Sequence, residues 1–185
     1  TDALTGLPNR RALFDELQRQ LQRAARDGTC VLLGCIDLDG FKTVNDQLGH
    51  HRGDLFLREM AQRLSLELRG SDMLARVGGD EFVVVGPGVA LGGASSAQAP
   101  LLDRGEPAQA ARTLEQRASL ASVGRFDLEG HALQYAGASV GVVALDPTGL
   151  SVEQALHLAD ERMYDVKRAR RRSVIVPAVI AQAAD

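Results

Sequence analysis

"ARVGGDEFVVV", residues 75–85, sets two glycines and two acids between two runs of strand character. "DMLARV" (72–77) and "EFVVV" (81–85) read as the arms of a β-hairpin. Gly78 and Gly79 are its expected turn, since two residues tolerant of positive φ suit the turn type that matches strand twist. Asp80 and Glu81 then stand at the tip, either as a solvated rim or as acids aimed at a ligand.

Working outward, "CVLLGCIDL" (30–38) is a near-continuous apolar run ending in carboxylates, the form of a central strand buried on both faces. Before it, Asn9 caps a helix whose Leu13, Leu17, Leu21 and Ala25 recur every four residues until Gly28 ends it. After it come a short helix over 41–48, stopped by Gly49, and a longer one from Gly53 to about Arg69, with Leu57, Met60, Ala61, Leu64 and Leu68 on one face. Residues 86–109, rich in Gly, Ala, Ser and Pro, read as a mobile surface loop. A helix (about 107–121), a strand pair (about 123–135 and 137–145, with a turn near Gly130) and a last helix from Ser151 to about Arg168 follow. Ser151 and Gln154 form a capping box for that last helix. The expected fold is α+β, helices packed against a mostly antiparallel sheet. One domain is expected over about 1–176, with 177–185 as a C-terminal tail.

With 185 residues, 45% of them hydrophobic, the chain can build one real core. A net charge of -3 lacks the basic excess of a duplex nucleic-acid binder, so phosphate chemistry must be local and no nucleic acid is expected as partner. Cys30 and Cys35 point to opposite faces of one strand and cannot pair within it, which fits a reducing cytoplasm. No stretch approaches the roughly 20 apolar residues of a membrane span. The first residue is not Met, so the chain is expected to be part of a longer protein, with any membrane attachment in the flanking segments.

Five groups of residues could carry chemistry. Asp37 and Asp39 in "DLDGFK" are two apart, and a carboxylate at a strand tip is a natural Mg²⁺ ligand beside phosphate oxygens, although a D-x-D can also be a plain polar strand end. Asp80 and Glu81 can converge with Asp37 on a shared cation if the hairpin lies beside that strand. Asn45, His50 and Asp54 in "NDQLGHHRGD" could read a guanine edge, whose paired N–H donors match a carboxylate; helix-end chemistry explains them too. Lys167 and Arg171, four apart, could project from one helix face at phosphates, or merely suit a helix C-terminus. Arg69 and Asp72 in "RGSD" offer a bidentate donor and acceptor for a guanine nucleotide, or a local salt bridge.

In order and spacing together these blocks resemble the GGDEF-domain diguanylate cyclases, whose naming motif stands here as Gly78-Gly79-Asp80-Glu81-Phe82. The resemblance runs through Asp2 with "LTGLPNRR" (4–11), "DLDGFKTVNDQLGHHRGD" (37–54), "RVGGDEF" (76–82), "ASVGV" (138–142) and the helix ending at Lys167. It implies a fold related to the polymerase palm and the class III nucleotidyl cyclases, with a ferredoxin-like core. It implies condensation of two GTP into cyclic di-GMP by a homodimer using Mg²⁺ or Mn²⁺. Carried over, Asp37, Asp80 and the Leu38 carbonyl resemble the metal ligands, and Asp80 the base, with Glu81 beside it. Asn45, His50 and Asp54 resemble guanine-site residues. The Gly40 and Phe41 amides, Lys167 and Arg171 resemble phosphate holders, and Arg69 with Asp72 a product-binding inhibitory site. The sequence departs from the family's K-x-x-G-R-N ending: Arg170 stands at the glycine and Arg172 at the asparagine. The competing expectation is a non-catalytic module that senses GTP or cyclic di-GMP and regulates an attached domain such as a phosphodiesterase.

Overall fold

The computed structural model describes residues 1–92, 100–101, 105–173 and 181–183. In chain order these form α1 (Arg10–Asp27), β1 (Thr29–Asp37), α2 (Phe41–Leu48), α3 (His50–Glu67), β2 (Met73–Arg76), β3 (Glu81–Ala90), α4 (Gly105–Ala121), β4 (Gly124–Asp127), β5 (His131–Tyr135), β6 (Ser139–Leu145), α5 (Val152–Ser173) and β7 (Ala181–Ala183). A four-stranded sheet of order β2-β3-β1-β6 lies at the centre, and each neighbouring pair is antiparallel. β4, β5 and β7 make a second, smaller antiparallel sheet. The fold is the expected α+β class.

β1 is central because both of its faces are apolar. Successive side chains of a strand alternate between faces: Cys30, Leu32 and Ile36 join a core with α3 and α4, while Val31, Leu33 and Cys35 join one with α1 and α5. The two cysteines are therefore on opposite faces and free. Burial pushes the Cys35 thiol up to about 12, which makes it a packing residue rather than a nucleophile.

Helix ends follow the sequence closely. Asn9 Oδ1 accepts from the Ala12 N–H at 3.1 Å, and Gly28, at φ 66, closes α1. Ser151 Oγ and Gln154 Oε1 accept from one another's backbone N–H at 3.1 and 2.9 Å, completing the capping box of α5. Gly141 in β6 fixes where that helix rests. A Cβ there would lie 2.2 and 2.4 Å from the backbone N and Cα of Met163, so the helix backbone sits directly on the strand. Edge-to-face contacts of Phe56 with Phe126 (4.7 Å) and Tyr135 (4.9 Å) hold the β4–β5 hairpin against α3.

Several expectations need correction. Neither Gly78 nor Gly79 has positive φ. The Val77 N–H donates to the Glu81 carbonyl at 3.0 Å, so the hairpin turns through three residues, 78–80, and has no need of a two-residue primed turn. The supposed loop at 86–109 is shorter at both ends. β3 runs on to Ala90, paired with β1 through a register shift between Thr29 and Val31, and α4 begins at Gly105; residues 93–99 and 102–104 lie outside the described residues. Gly88 belongs in that strand because a Cβ there would stand 2.2 Å from Cys30 Sγ. The segment 123–135 is itself a hairpin of β4 and β5, and β6 pairs with β1 instead of with its predecessor. α3 starts at His50, not Gly53, and α5 reaches Ser173, where Arg170, Arg171 and Arg172 suit the negative end of the helix dipole. Of the tail at 177–185, only β7 is described. Among the described residues no helix is long and apolar enough to cross a membrane.

Candidate active site

β1 ends at Asp37, which is paired with Glu81 on β3 and with Ser139 on β6. The Leu38 N–H donates to the Asp80 carbonyl at 3.1 Å, so the hairpin is laced to the strand tip, as its two acids required. Strand alternation separates those acids. Glu81 lines a small cleft of about 150 Å³ with Arg10, Phe14 and Asp160 beside α1 and α5. Asp80 lines a cavity of about 770 Å³ together with Asp37, Leu38, Gly40, Phe41, Lys167 and Arg171.

That cavity concentrates charge of both signs. Burial, then the charge of Asp37, push the Asp80 carboxyl above its ordinary value. Asp37 Oδ1 accepts from Lys167 Nζ at 2.6 Å. Asp39 is engaged differently from Asp37: its Oδ2 accepts from Ser139 Oγ at 2.6 Å and lies 3.3 Å from Arg170 Nε, while Lys167 is 3.8 Å away. The Tyr135 hydroxyl, buried and pushed well up, donates to the Asp39 backbone carbonyl at 2.9 Å. α2 begins at the cavity with no side-chain cap on its N-terminus, where Gly40 adopts φ 75. An uncapped helix start favours an anion. The Phe41 N–H, however, donates to the Leu38 carbonyl at 3.2 Å.

Sequence reasoning missed Lys42, Arg170 and the wall formed by Gln134–Gly137, all lining this cavity. Lys42 was within reach, as the cation after Phe41 in "DLDGFK". The β5 wall carries no local signal and is brought in by tertiary packing. Asn45, His50 and Asp54 do not line the cavity. They gather where α2 gives way to α3, with Asn45 Oδ1 over Gly53, 1.8 Å from where a Cβ would stand; His50 and Asp54 are exposed.

One further residue holds the hairpin. Arg76 Nε and Nη2 donate to the Gly79 carbonyl at 3.2 and 2.8 Å, and Nη1 donates to both Asp2 carboxylate oxygens at 2.9 and 3.1 Å. Burial alone would raise the Asp2 carboxyl, but the Thr5 hydroxyl and N–H, together with Arg76, outweigh it and hold the value at about 2.

Two carboxylates and a backbone carbonyl are hard oxygen donors of the kind Mg²⁺ and Mn²⁺ take. The raised Asp80 carboxyl marks excess negative charge that a cation would relieve. Among the described residues no three His, Cys, Asp or Glu side chains form a metal cluster. The oxygen donors of Asp37, Asp80 and Leu38 are chemically compatible with Mg²⁺ or Mn²⁺.

The family model "Diguanylate cyclase, GGDEF domain" matches residues 1–173. The chain belongs to the GGDEF diguanylate cyclase domain family. It is 36% identical over 176 residues to the diguanylate cyclase DgcP of Escherichia coli K12, and 38% over 171 residues to the diguanylate cyclase DgcP of Pseudomonas aeruginosa. These matches take in 95% and 92% of this chain but 47% and 23% of the relatives, so the chain spans half or less of their length. Among solved structures it is similar to the diguanylate cyclase SiaD of Pseudomonas aeruginosa, in complex with its activator SiaC (TM-score 0.75, 34% identity, 91% of this chain and 58% of that one). It is also similar to the GGDEF domain of DgcB from Caulobacter crescentus in complex with c-di-GMP (TM-score 0.73, 30% identity, 92% and 88%).

This GGDEF domain carries a second groove, of about 380 Å³, on which Arg69 and Asp72 meet Gln109, Thr113 and Arg117 of α4. The Arg69 backbone N–H donates to Asp72 Oδ2 at 2.9 Å, leaving the Arg69 side chain exposed. Asp72 packs over Gly86, whose added Cβ would fall 2.2 Å from Oδ1. Arg117 is tied to the Glu67 carbonyl at the end of α3. No sequence signal singled out the α4 side of this groove.

Proposed function

We propose that this domain condenses two GTP molecules into cyclic di-GMP with release of two pyrophosphates, as a homodimer of half-sites in bacterial second-messenger signalling. The observation that carries the reading is the meeting of Asp37, Leu38 and Asp80 in one cavity with Lys42, Lys167 and Arg171. That combination suits a cation-bound and strongly anionic substrate. Asp37, Asp80 and the Leu38 carbonyl would hold Mg²⁺ or Mn²⁺, which when bound would supply charge neutralisation on the phosphates.

The remaining work falls to the chain itself. Lys167 exchanges its 2.6 Å pairing with Asp37 for phosphate oxygens. Arg171, four residues on, grips them with a fork of donors, and the uncapped start of α2 at Gly40 and Phe41 faces the same charge. Asp80, which lines the cavity beside Asp37, takes the proton of the attacking 3'-hydroxyl. The O3'–Pα bond forms, the bond from Pα to the bridging oxygen breaks, and pyrophosphate leaves with the bonding pair. Glu81 supports the turn from the other face, its Oε2 standing 2.7 Å from where a Cβ on Gly78 would lie. Asn45, His50 and Asp54 are assigned to guanine, whose N1–H and N2–H suit a carboxylate. Arg69 and Asp72 are assigned to inhibitory cyclic di-GMP.

A cavity of this kind holds one nucleotide, so two domains must face each other for a double closure. At fixed GTP and Mg²⁺, turnover per domain is therefore expected to rise steeply with domain concentration, or on fusion to a dimerising segment. ATP is expected to compete poorly. Tight GTP binding with no turnover under either condition would favour the sensing module instead.

A further inference from the structure

We infer that Arg170 is a positioning residue for the nucleotide: it pins the β5–β6 connection and keeps Asp39 neutralised when Lys167 turns to the substrate. The inference rests on the reading of the cavity as a GTP site. Arg170 lies three residues after Lys167 on α5 and lines the same cavity. Its one guanidinium bridges two loops. Nε lies 3.3 Å from Asp39 Oδ2, and Nη2 donates to the Ala136 and Gly137 carbonyls at 3.3 and 3.0 Å. Gly137 sits at φ 109, a conformation that side chains rarely adopt, so this turn is tightly specified and Arg170 closes it.

The charge count gives the bridge its consequence. Asp37, Asp39 and Asp80 all line the cavity, and Lys167 reaches both Asp37 (2.6 Å) and Asp39 (3.8 Å). Once Lys167 turns to a polyphosphate it can no longer balance Asp39. Ser139 donates a hydrogen bond to Asp39 but no charge. Among the described residues, Arg170 is the cation that remains on this carboxylate, at 3.3 Å. Without it, an uncompensated Asp39 faces the incoming anion, and one unit of charge at a partly screened surface corresponds to about tenfold weaker binding.

The test measures binding of a non-hydrolysable GTP analogue with Mg²⁺ by calorimetry, alongside KM and kcat with GTP, for the parent, Arg170→Ala, Arg170→Lys and the double variant Arg170→Ala with Asp39→Asn. Melting curves establish that each variant is folded. Arg170→Ala is expected to raise Kd and KM about tenfold with a much smaller change in kcat, and to make the salt dependence of binding shallower, since salt screens the uncompensated Asp39. Arg170→Lys is expected to restore part of the affinity, and Asp39→Asn in the Arg170→Ala background most of it. A purely structural role would not be rescued by removing the opposing charge. Unchanged Kd in Arg170→Ala, or no recovery in the double variant, overturns the inference while a parent that makes cyclic di-GMP upholds the cyclase reading. A parent that binds the analogue and shows the Arg170 effect but makes no product overturns the cyclase reading alone. A parent that binds no analogue overturns both.

Discussion

Replacing Arg76 by leucine removes a guanidinium that is 12% exposed and joins the start of the chain to the motif hairpin. Two contributions are lost. The Asp2 carboxyl is lowered from 3.8 to about 2, and at about 1.4 kcal/mol per unit its charged form gains at most about 2.5 kcal/mol. Thr5 supplies much of that and solvent screens the pair, leaving about 1 kcal/mol for Arg76. The two donations to the Gly79 carbonyl, from a charged group, add about 1.5 kcal/mol. A loss of about 2 to 3 kcal/mol in a domain of this size lowers Tm by about 5–10 °C. Thermal or urea denaturation of the parent and Arg76→Leu, repeated from pH 7 down to pH 2, checks it. Because the Asp2 value is depressed on folding, its stabilisation is complete above about 3.8 and fades as pH falls towards about 2. The gap between the two proteins should therefore narrow over that window. A Tm change under about 1 °C at neutral pH, or a gap that stays constant in acid, would refute the reasoning.

Asp80→Asn removes a carboxyl that burial and the Asp37 charge both disfavour as an anion; without divalent cation it should raise Tm, and calorimetry should show its Mg²⁺ response lost. In the parent the raised Asp80 value makes metal-free stability fall as pH rises through it, and added Mg²⁺ should offset that fall. Gly141→Ala forces a Cβ into the α5 backbone and should cost about 3 kcal/mol or more in denaturation experiments, with Lys167 displaced along with its helix. Arg69→Ala should weaken cyclic di-GMP binding by about tenfold or more in calorimetry, leaving the melting temperature near that of the parent.

Local chemistry made much of this legible in advance. The Asn9 cap, the four-residue apolar repeat and Gly28 define α1, and the unbroken apolar run to Asp37 places β1 at the centre because only a strand covered on both faces needs it. The meeting of Asp37 and Asp80 was legible only as a condition, that the hairpin lie beside the β1 strand, and the pairing of β1 with β3 meets it. Side-chain direction was harder: Asp80 and Glu81 are consecutive, so one had to face away, and only the pairing of Glu81 with Asp37 and the three-residue turn decide which lines the large cavity. The β5 wall and Arg170 were hidden because their partners are distant in sequence: Arg170 meets Ala136 and Gly137 from 34 and 33 residues away, and Tyr135 meets Asp39 from 96. Glycine and proline content misled at 86–90, where pairing with β1, through a register shift, prevails over weak strand propensity.

The most direct measurement is product identification by mass spectrometry after incubating the domain, concentrated or fused to a dimerising segment, with GTP and Mg²⁺ or Mn²⁺. The account predicts cyclic di-GMP with two pyrophosphates per product, abolished by Asp80→Ala. Absence of cyclic di-GMP from the parent, or equal yield from Asp80→Ala, would contradict it.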